Sequence, residues 1–152
     1  IRDYKVTGVQ TCALPISNLS SLLTPSKTVD FDYPGYEGFS VKLAFLSREE
    51  LLKIRKKATT TKFDRKTRQP KEEMDEELFL KSYVQGVVKG WKGLKYKFLT
   101  DFILVDLEGV EDLGAELEYS DENALVMMKN SNEFDTWVSE MVGDLSNFTN
   151  NN

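Results

Sequence analysis

Between Phe79 and Trp91 the apolar residues Phe79, Leu80, Tyr83, Val84, Val87, Val88 and Trp91 recur at spacings of three and four. On a helix this spacing gathers them onto one broad face. A face so apolar has to be covered, so the run predicts a central helix reaching Trp91, with the rest of the fold packed around it. Asp75 stands where an N-cap is needed, and Glu76 and Glu77 fall at the positive end of the helix dipole. Gly93 then suits the C-terminal cap, and Leu94 can fold back beside it. Gly86 lies inside the run and reads either as a point of close backbone approach or as a tolerated propensity cost.

Ahead of this helix the periodicity is two. Val29-Asp-Phe31-Asp-Tyr33 alternates up to the Pro34-Gly35 turn signal, and Phe39, Val41, Leu43 and Phe45 alternate with Ser40 and Lys42 among the intervening residues. The two runs predict an antiparallel hairpin with Gly35 and Gly38 in its connection. Ser47 and Glu50 have capping-box spacing, which opens a first helix with Leu51, Leu52, Ile54 and Ala58 on its apolar side. Its last turn carries Arg55, Lys56 and Lys57, a solvated end or a phosphate contact.

Thr59 to Lys71 contains little that can repay ordering entropy, and a mobile loop is expected near 59–74. Phe63 is its one large apolar residue, either an anchor to the body or a contact for a partner. From Tyr96 to Val105 the pattern allows short strands at 96–98 and 103–105 or a short helix around Leu99-Phe102-Ile103. Asp106 to Glu118 is acidic and reads as a loop. Ser120 opens a helix with Ala124, Leu125, Met127 and Met128, and Ser131 or Asn132 caps a final one with Phe134, Trp137, Val138, Met141, Val142 and Leu145. Phe148 can close that last face.

The fold class expected is α+β: an N-terminal antiparallel β-hairpin followed by a small, mainly helical bundle. Residues 6–16, Val-Thr-Gly-Val-Gln-Thr-Cys-Ala-Leu-Pro-Ile, resemble the translation of a short-read sequencing adapter. Residues 1–17 are therefore expected to be an artefactual leader, 18–28 a flexible lead-in, 29–148 a single domain and 149–152 a frayed tail.

The chain has no histidine, and its one cysteine, Cys12, lies in the adapter-like segment. Histidine-based triads, Cys-His pairs and the usual zinc ligand sets are therefore absent. No Gly-x-x-x-x-Gly-Lys-Ser/Thr or Gly-x-Gly-x-x-Gly motif occurs. Carboxylates remain, in Asp101 with Asp106, Glu108 with Glu111 or Asp112, and Glu116 with Glu118, but spacing in an acidic loop does not establish a pocket. The expectation is a non-enzyme with no catalytic residues, cofactor or metal. The formal net charge of -5 argues against a nucleic-acid partner for the whole surface. Lys56, Arg65 and Arg68, in the basic cluster around Phe63, are the candidate contacts if a single strand binds. No run of roughly 18 to 20 apolar residues is available to cross a bilayer, and a soluble, intracellular protein is expected. The sequons at Asn18 and Asn147 would then go unused.

Four segments, taken in order, carry a family resemblance: the hairpin followed by Leu46-Ser-Arg-Glu-Glu50, then Val88-Lys-Gly-Trp91-Lys-Gly93-Leu94, then Tyr119-Ser-Asp-Glu-Asn-Ala124, and the closing Phe134–Phe148 helix. Together they make residues 29–148, about four fifths of the chain, similar to the tail assembly chaperones of long-tailed bacteriophages. The resemblance implies a non-catalytic protein of the infected bacterial cytoplasm that binds the tape measure protein and helps the major tail tube protein polymerise around it. It also implies absence from the mature virion and a possible homo-oligomer or frameshift-extended form. A helical client needs exposed apolar surface, for which Trp91, Leu94, Phe134, Trp137 and Met141 are the candidates. The alternatives are a structural head-tail connector or tail-completion protein, and a single-stranded nucleic-acid-binding protein.

Overall fold

The period-two run after Gly38 becomes the middle of a sheet. In the computed structural model, which describes residues 18–23 and 27–149, β1 (Thr28–Asp32) and β2 (Ser40–Ala44) pair antiparallel, with Val29 opposite Leu43 and Phe31 opposite Val41. The adapter-like segment and residues 150–152 lie outside the described residues. The chain continues through α1 (Arg48–Ala58), β3 (Thr59–Phe63), β4 (Pro70–Met74), α2 (Glu76–Val87), β5 (Val88–Lys92), α3 (Asp121–Asn130), α4 (Asn132–Gly143) and a short α5 (Ser146–Thr149). Two 3-10 turns, Leu19–Leu22 and Tyr96–Asp101, complete the order. The fold is α+β, with antiparallel sheet elements first and a mainly helical region after them.

The central helix is shorter than its periodicity predicts. α2 stops at Val87, and Val88–Lys92 pairs with β2 to give a three-stranded sheet in the order β1-β2-β5. Val87-Val88-x-x-Trp91 satisfies a helical period, but Val88 and Trp91 bury equally well as strand residues opposite Leu43 and Val41. Tertiary pairing decides between the two. The register slips between Lys42 and Leu43, which lets Lys89 bulge outward. Strand β2 then has a partner on each side, and its Val41 and Leu43, like the preceding Phe39, are fully buried.

Gly93 is therefore no helix cap. It turns the chain out of β5 with φ +78, and a Cβ there would overlap the carbonyl oxygen of Gly38 and stand 3.1 Å from the Phe39 Cα. Only glycine permits both that backbone and that approach. Gly86 is the ordinary case: a Cβ would meet Ile54 and Leu46 at 3.6 and 3.8 Å, normal contact distances.

Local capping holds where expected. The Ser47, Asp75, Ser120 and Ser131 side chains accept the backbone N–H of Glu50, Leu78, Asn123 and Phe134 respectively. Helices α1, α2, α3 and α4 pack each against the next, and α2 and α4 both reach β2. The core between them contains Val84, Val87, Val88, Met127, Phe134 and Val138, with Phe148 closing one side against Phe31 and Phe45. Of the first helix's apolar residues, Ala58 is buried and Leu51 and Ile54 are half-buried, whereas Leu52 faces solvent.

Residues 59–74 are not a loop. β3 and β4 form an antiparallel hairpin, Thr59 opposite Met74 through Phe63 opposite Pro70. Asp64 organises its turn: the side chain accepts from Lys66 N at 2.8 Å, and its carbonyl accepts from Arg68 N at 2.7 Å. Arg68 takes the left-handed backbone, φ 56, that closes the turn. Phe63 is 66% exposed and pins nothing to the body.

Gly93→Ala is expected to lower unfolding stability by roughly 2–4 kcal/mol, combining backbone strain with overpacking. Gly109→Ala, with nothing within 4 Å of the added carbon, should stay within about 0.5 kcal/mol of the parent. Urea midpoints measure both, and equal midpoints for the two variants would refute the close-approach account.

Candidate functional site

The five candidate contact residues do not form one patch. Leu94 and Phe134 are fully buried, so neither can meet a partner on the surface of the folded chain. Leu94 is drawn inward because Gly93 reverses the chain over the sheet, and Phe134 because it is the first inward residue after the Ser131 cap. Trp91, Trp137 and Met141 remain half-buried.

Trp91 is committed to an internal lock. Its Nε1 donates to the Leu117 carbonyl at 2.9 Å, and its ring meets Tyr119 edge-on at 5.1 Å. The same stretch of chain is fastened at neighbouring positions. Gly93 N donates to the Glu116 carboxylate, Leu117 N to the Leu94 carbonyl, and Tyr96 and Lys97 N to Ala115 and Leu113. The later part of the acidic segment, 113–119, is thus laid along 91–97, with Lys95 and Glu116 in a single β-bridge.

Trp137 belongs to a different place. Its ring lies 4.5 Å from that of Tyr33, which also contacts Tyr36, Phe39, Phe102 and Phe134. The outer edge of Trp137 lines a shallow depression of about 420 Å³ with Tyr33, Pro34, Asn132, Glu133, Thr136 and Glu140. Met141, one turn further along α4, packs against the core beside Trp137. Its carbonyl accepts from the Asn147 side chain at 3.1 Å. Tyr33, only 3% exposed, is the residue whose importance the sequence pattern understates. The signal was the alternation that sets Tyr33 in phase with Val29 and Phe31.

Burial pushes the Tyr33 hydroxyl up to about 12, with the negative charge of Glu133 and the neighbouring Tyr36 adding to the effect. Tyr36 is raised too, by burial and then by its hydrogen bond to Asp101 at 3.1 Å. Tyr119 is raised to about 12, first by burial and then by Asp121. Its hydroxyl shares one proton between the Val88 carbonyl at 2.8 Å and the Asp121 carboxylate at 3.0 Å.

Four of the carboxylates considered for chemistry, spread along the chain, are occupied with backbone or hydroxyl donors. Asp101 receives the Tyr36 hydroxyl, Asp106 receives Glu108 N, Asp112 receives Gly114 N and Glu116 receives Gly93 N. Among the described residues, no group of three or more Cys, Asp or Glu is arranged to hold a metal ion. No helix among them is long and apolar enough to cross a membrane. Lys56, Arg65 and Arg68 are all exposed, Lys56 on α1 and the two arginines in the β3–β4 turn.

A family model described as YdaY prophage protein matches residues 46–152, and the chain belongs to that family. No curated protein and no solved structure matches the chain.

Tyrosine ionisation supplies a pH test of the Trp91–Tyr119 lock. A folded-state value raised above the ordinary 10.0 means the bound proton stabilises the fold fully below pH 10, and that stability is lost as pH climbs towards 12. Melting temperature should therefore fall over this window. Tyr119→Phe should melt lower at neutral pH, by about 1 kcal/mol for the lost hydrogen bond, and should show a shallower alkaline decline. An alkaline decline as steep as the parent's would count against the assignment.

Proposed function

We propose that this prophage protein is a non-catalytic tail assembly chaperone that binds a tape measure protein and promotes tail tube assembly in the host cytoplasm before leaving the particle. The observation that carries the reading is the half-buried Trp137 on α4, backed by Tyr33 and opening onto a shallow depression with acidic Glu133 and Glu140 at its rim. A rigid aromatic at the edge of a groove, with Met141 one turn on, suits an amphipathic client helix that brings apolar anchors and a basic flank. Support also comes from the coherence of the motif that underlies the resemblance. Trp91-Lys-Gly-Leu94 and Ser120-Asp-Glu-Asn-Ala124 are joined through Leu117 and Tyr119 into one strand-turn-helix unit. Membership in a prophage family is compatible with such a role.

A second reading, a head-tail connector or tail-completion protein, is favoured by the solvent-exposed β3–β4 hairpin, an element suited to bridging subunits. The connector would be retained in purified virions at fixed stoichiometry. The chaperone would be abundant in infected cells and missing from particles.

The test is co-expression of the full chain with the tape measure and major tail tube proteins of the same prophage. A tape measure protein that is insoluble alone should be recovered in a soluble complex. Trp137→Ala should weaken that recovery about tenfold, an effect of roughly 1.4 kcal/mol, while circular dichroism stays native. If the tape measure remains insoluble beside a folded partner, the chaperone role is rejected.

A further inference from the structure

The β3–β4 hairpin differs in charge between its tip and its root. Over residues 59–74 it carries five cations, Lys62, Arg65, Lys66, Arg68 and Lys71, against three acids, Asp64, Glu72 and Glu73, which leaves a net of +2. The acids do not cancel the tip. Glu73 pairs with Lys62 at 3.1 Å, and the Asp64 carboxylate accepts from the Lys66 and Thr67 N–H groups of the turn at 2.8 and 3.4 Å. Glu72 lies opposite Thr61, towards the root. Arg65, Lys66, Arg68 and Lys71 are left exposed, and none of them makes an ion pair with a described residue.

Two features of the tip destabilise the ribbon. Lys62 stands directly opposite Lys71, like charges that weaken a ladder, and the one acid on that face, Glu73, pairs with Lys62 alone. Arg68 holds the left-handed backbone, φ 56, which glycine or asparagine adopts with less strain. Beside these cations stands the Phe63 ring, at the last pair before the turn, opposite Pro70 and 66% exposed.

The tip is also set apart from the acids that follow the hairpin. Four strand steps separate Phe63 from the root at Thr59, roughly 14 Å at about 3.4 Å each. Asp75, Glu76 and Glu77, beyond the root, therefore lie further from the tip than a Debye length of about 8 Å at physiological salt. The net charge of -5 for the whole chain does not describe the potential met by a ligand that approaches the tip.

We infer that the hairpin tip binds a single-stranded polynucleotide, with Arg65, Lys66, Arg68 and Lys71 on its phosphates and Phe63 stacked on a base. An acidic peptide would satisfy the cations but gives the flat, exposed ring no matching face. A duplex keeps its bases stacked on one another and offers the ring none. The inference is independent of the chaperone reading, because the tip shares no residue with the Trp137 depression.

Fluorescence anisotropy tests this with a labelled single-stranded oligonucleotide, in DNA and RNA forms of one sequence, titrated with the full chain to about 0.1 mM, which covers the range of non-specific affinities. Binding should weaken with salt, with a log-log slope of about -3 for four phosphate contacts at about 0.7 each. Arg65→Gln/Arg68→Gln should reduce the size of that slope by about 1.4. Phe63→Ala should weaken binding about tenfold with the slope unchanged, whereas Phe63→Tyr should keep the affinity and Phe63→Leu should not. Glu72→Gln should tighten binding. Every replaced side chain is exposed, so the variants should melt like the parent. DNA and RNA should bind alike, since phosphates and base faces are common to both, and a clear preference for one sugar would uphold the site and identify its natural strand. Absence of salt-dependent binding, or binding that the arginine and Phe63 variants leave unchanged, overturns the proposal. Polyglutamate that competes as well as the oligonucleotide, with no effect of Phe63→Ala, overturns it in favour of an acidic protein.

Discussion

The approach of Gly93 to the Gly38–Phe39 backbone is the contact on which the rest of the structure depends. It lets β5 lie beside β2 and then turn away at once, which sends Leu94 into the core and sets Trp91 opposite Val41. The turn leaves the Gly93 N–H and the Leu94 carbonyl facing the acidic segment, where Glu116 and Leu117 take them up. Once 113–119 is fixed along 91–97, Tyr119 is carried onto the Val88 carbonyl and the next residue, Ser120, caps α3. A glycine without a side chain thus determines where a helix twenty-eight residues later in the sequence can start.

Aromatic packing then joins the sheet to the helices. Tyr33 ends the first alternating run, and its ring lies between Phe39 and Phe102 on one hand and Phe134 and Trp137 on the other. Aromatic pairs at such distances add about 0.5–1.5 kcal/mol each beyond the area they bury. Several of these rings meet at one residue, so the position of α4, and with it the outward edge of Trp137, follows from the strand that delivers Tyr33. The accessible aromatic surface is therefore held rigid, which lowers the ordering cost of binding.

The parts of the fold legible in the sequence are those decided within a few residues. Helix starts at Ser47, Asp75, Ser120 and Ser131 could be placed because a side chain caps a backbone N–H three residues on. The β1–β2 alternation was legible because one face is wet and the other buried. What failed was decided at long range. The residues of β5 satisfy both a helical and a strand period, and only β2, some fifty residues earlier, selects the strand. The β3–β4 ribbon buries almost nothing, so hydrophobic pattern could not reveal it, although Thr59-Thr60-Thr61 is a β-branched run and Asp64 a turn former. The site was less legible than the fold. An apolar residue on a periodic face is equally compatible with core and surface, and burial separated Leu94 and Phe134 from Trp137 only after the chain was folded.

The family match begins at Leu46, yet the middle strand of the sheet lies before it. Residues 46–149 alone would leave Val84, Val87, Val88 and Leu94 without the Phe39, Val41 and Leu43 side chains that cover them. Burying three such side chains contributes roughly 5–9 kcal/mol at about 1.5–3 kcal/mol each, which is comparable with the whole stability of a small domain, about 5–15 kcal/mol. The hairpin of β1 and β2 is therefore part of the same folding unit as the matched region. The glycine contact makes the same case geometrically, since Gly93, inside the match, is shaped to fit Gly38, outside it. An element that supplies the central strand and one side of the Gly38–Gly93 contact is integral to the fold that contains the matched region.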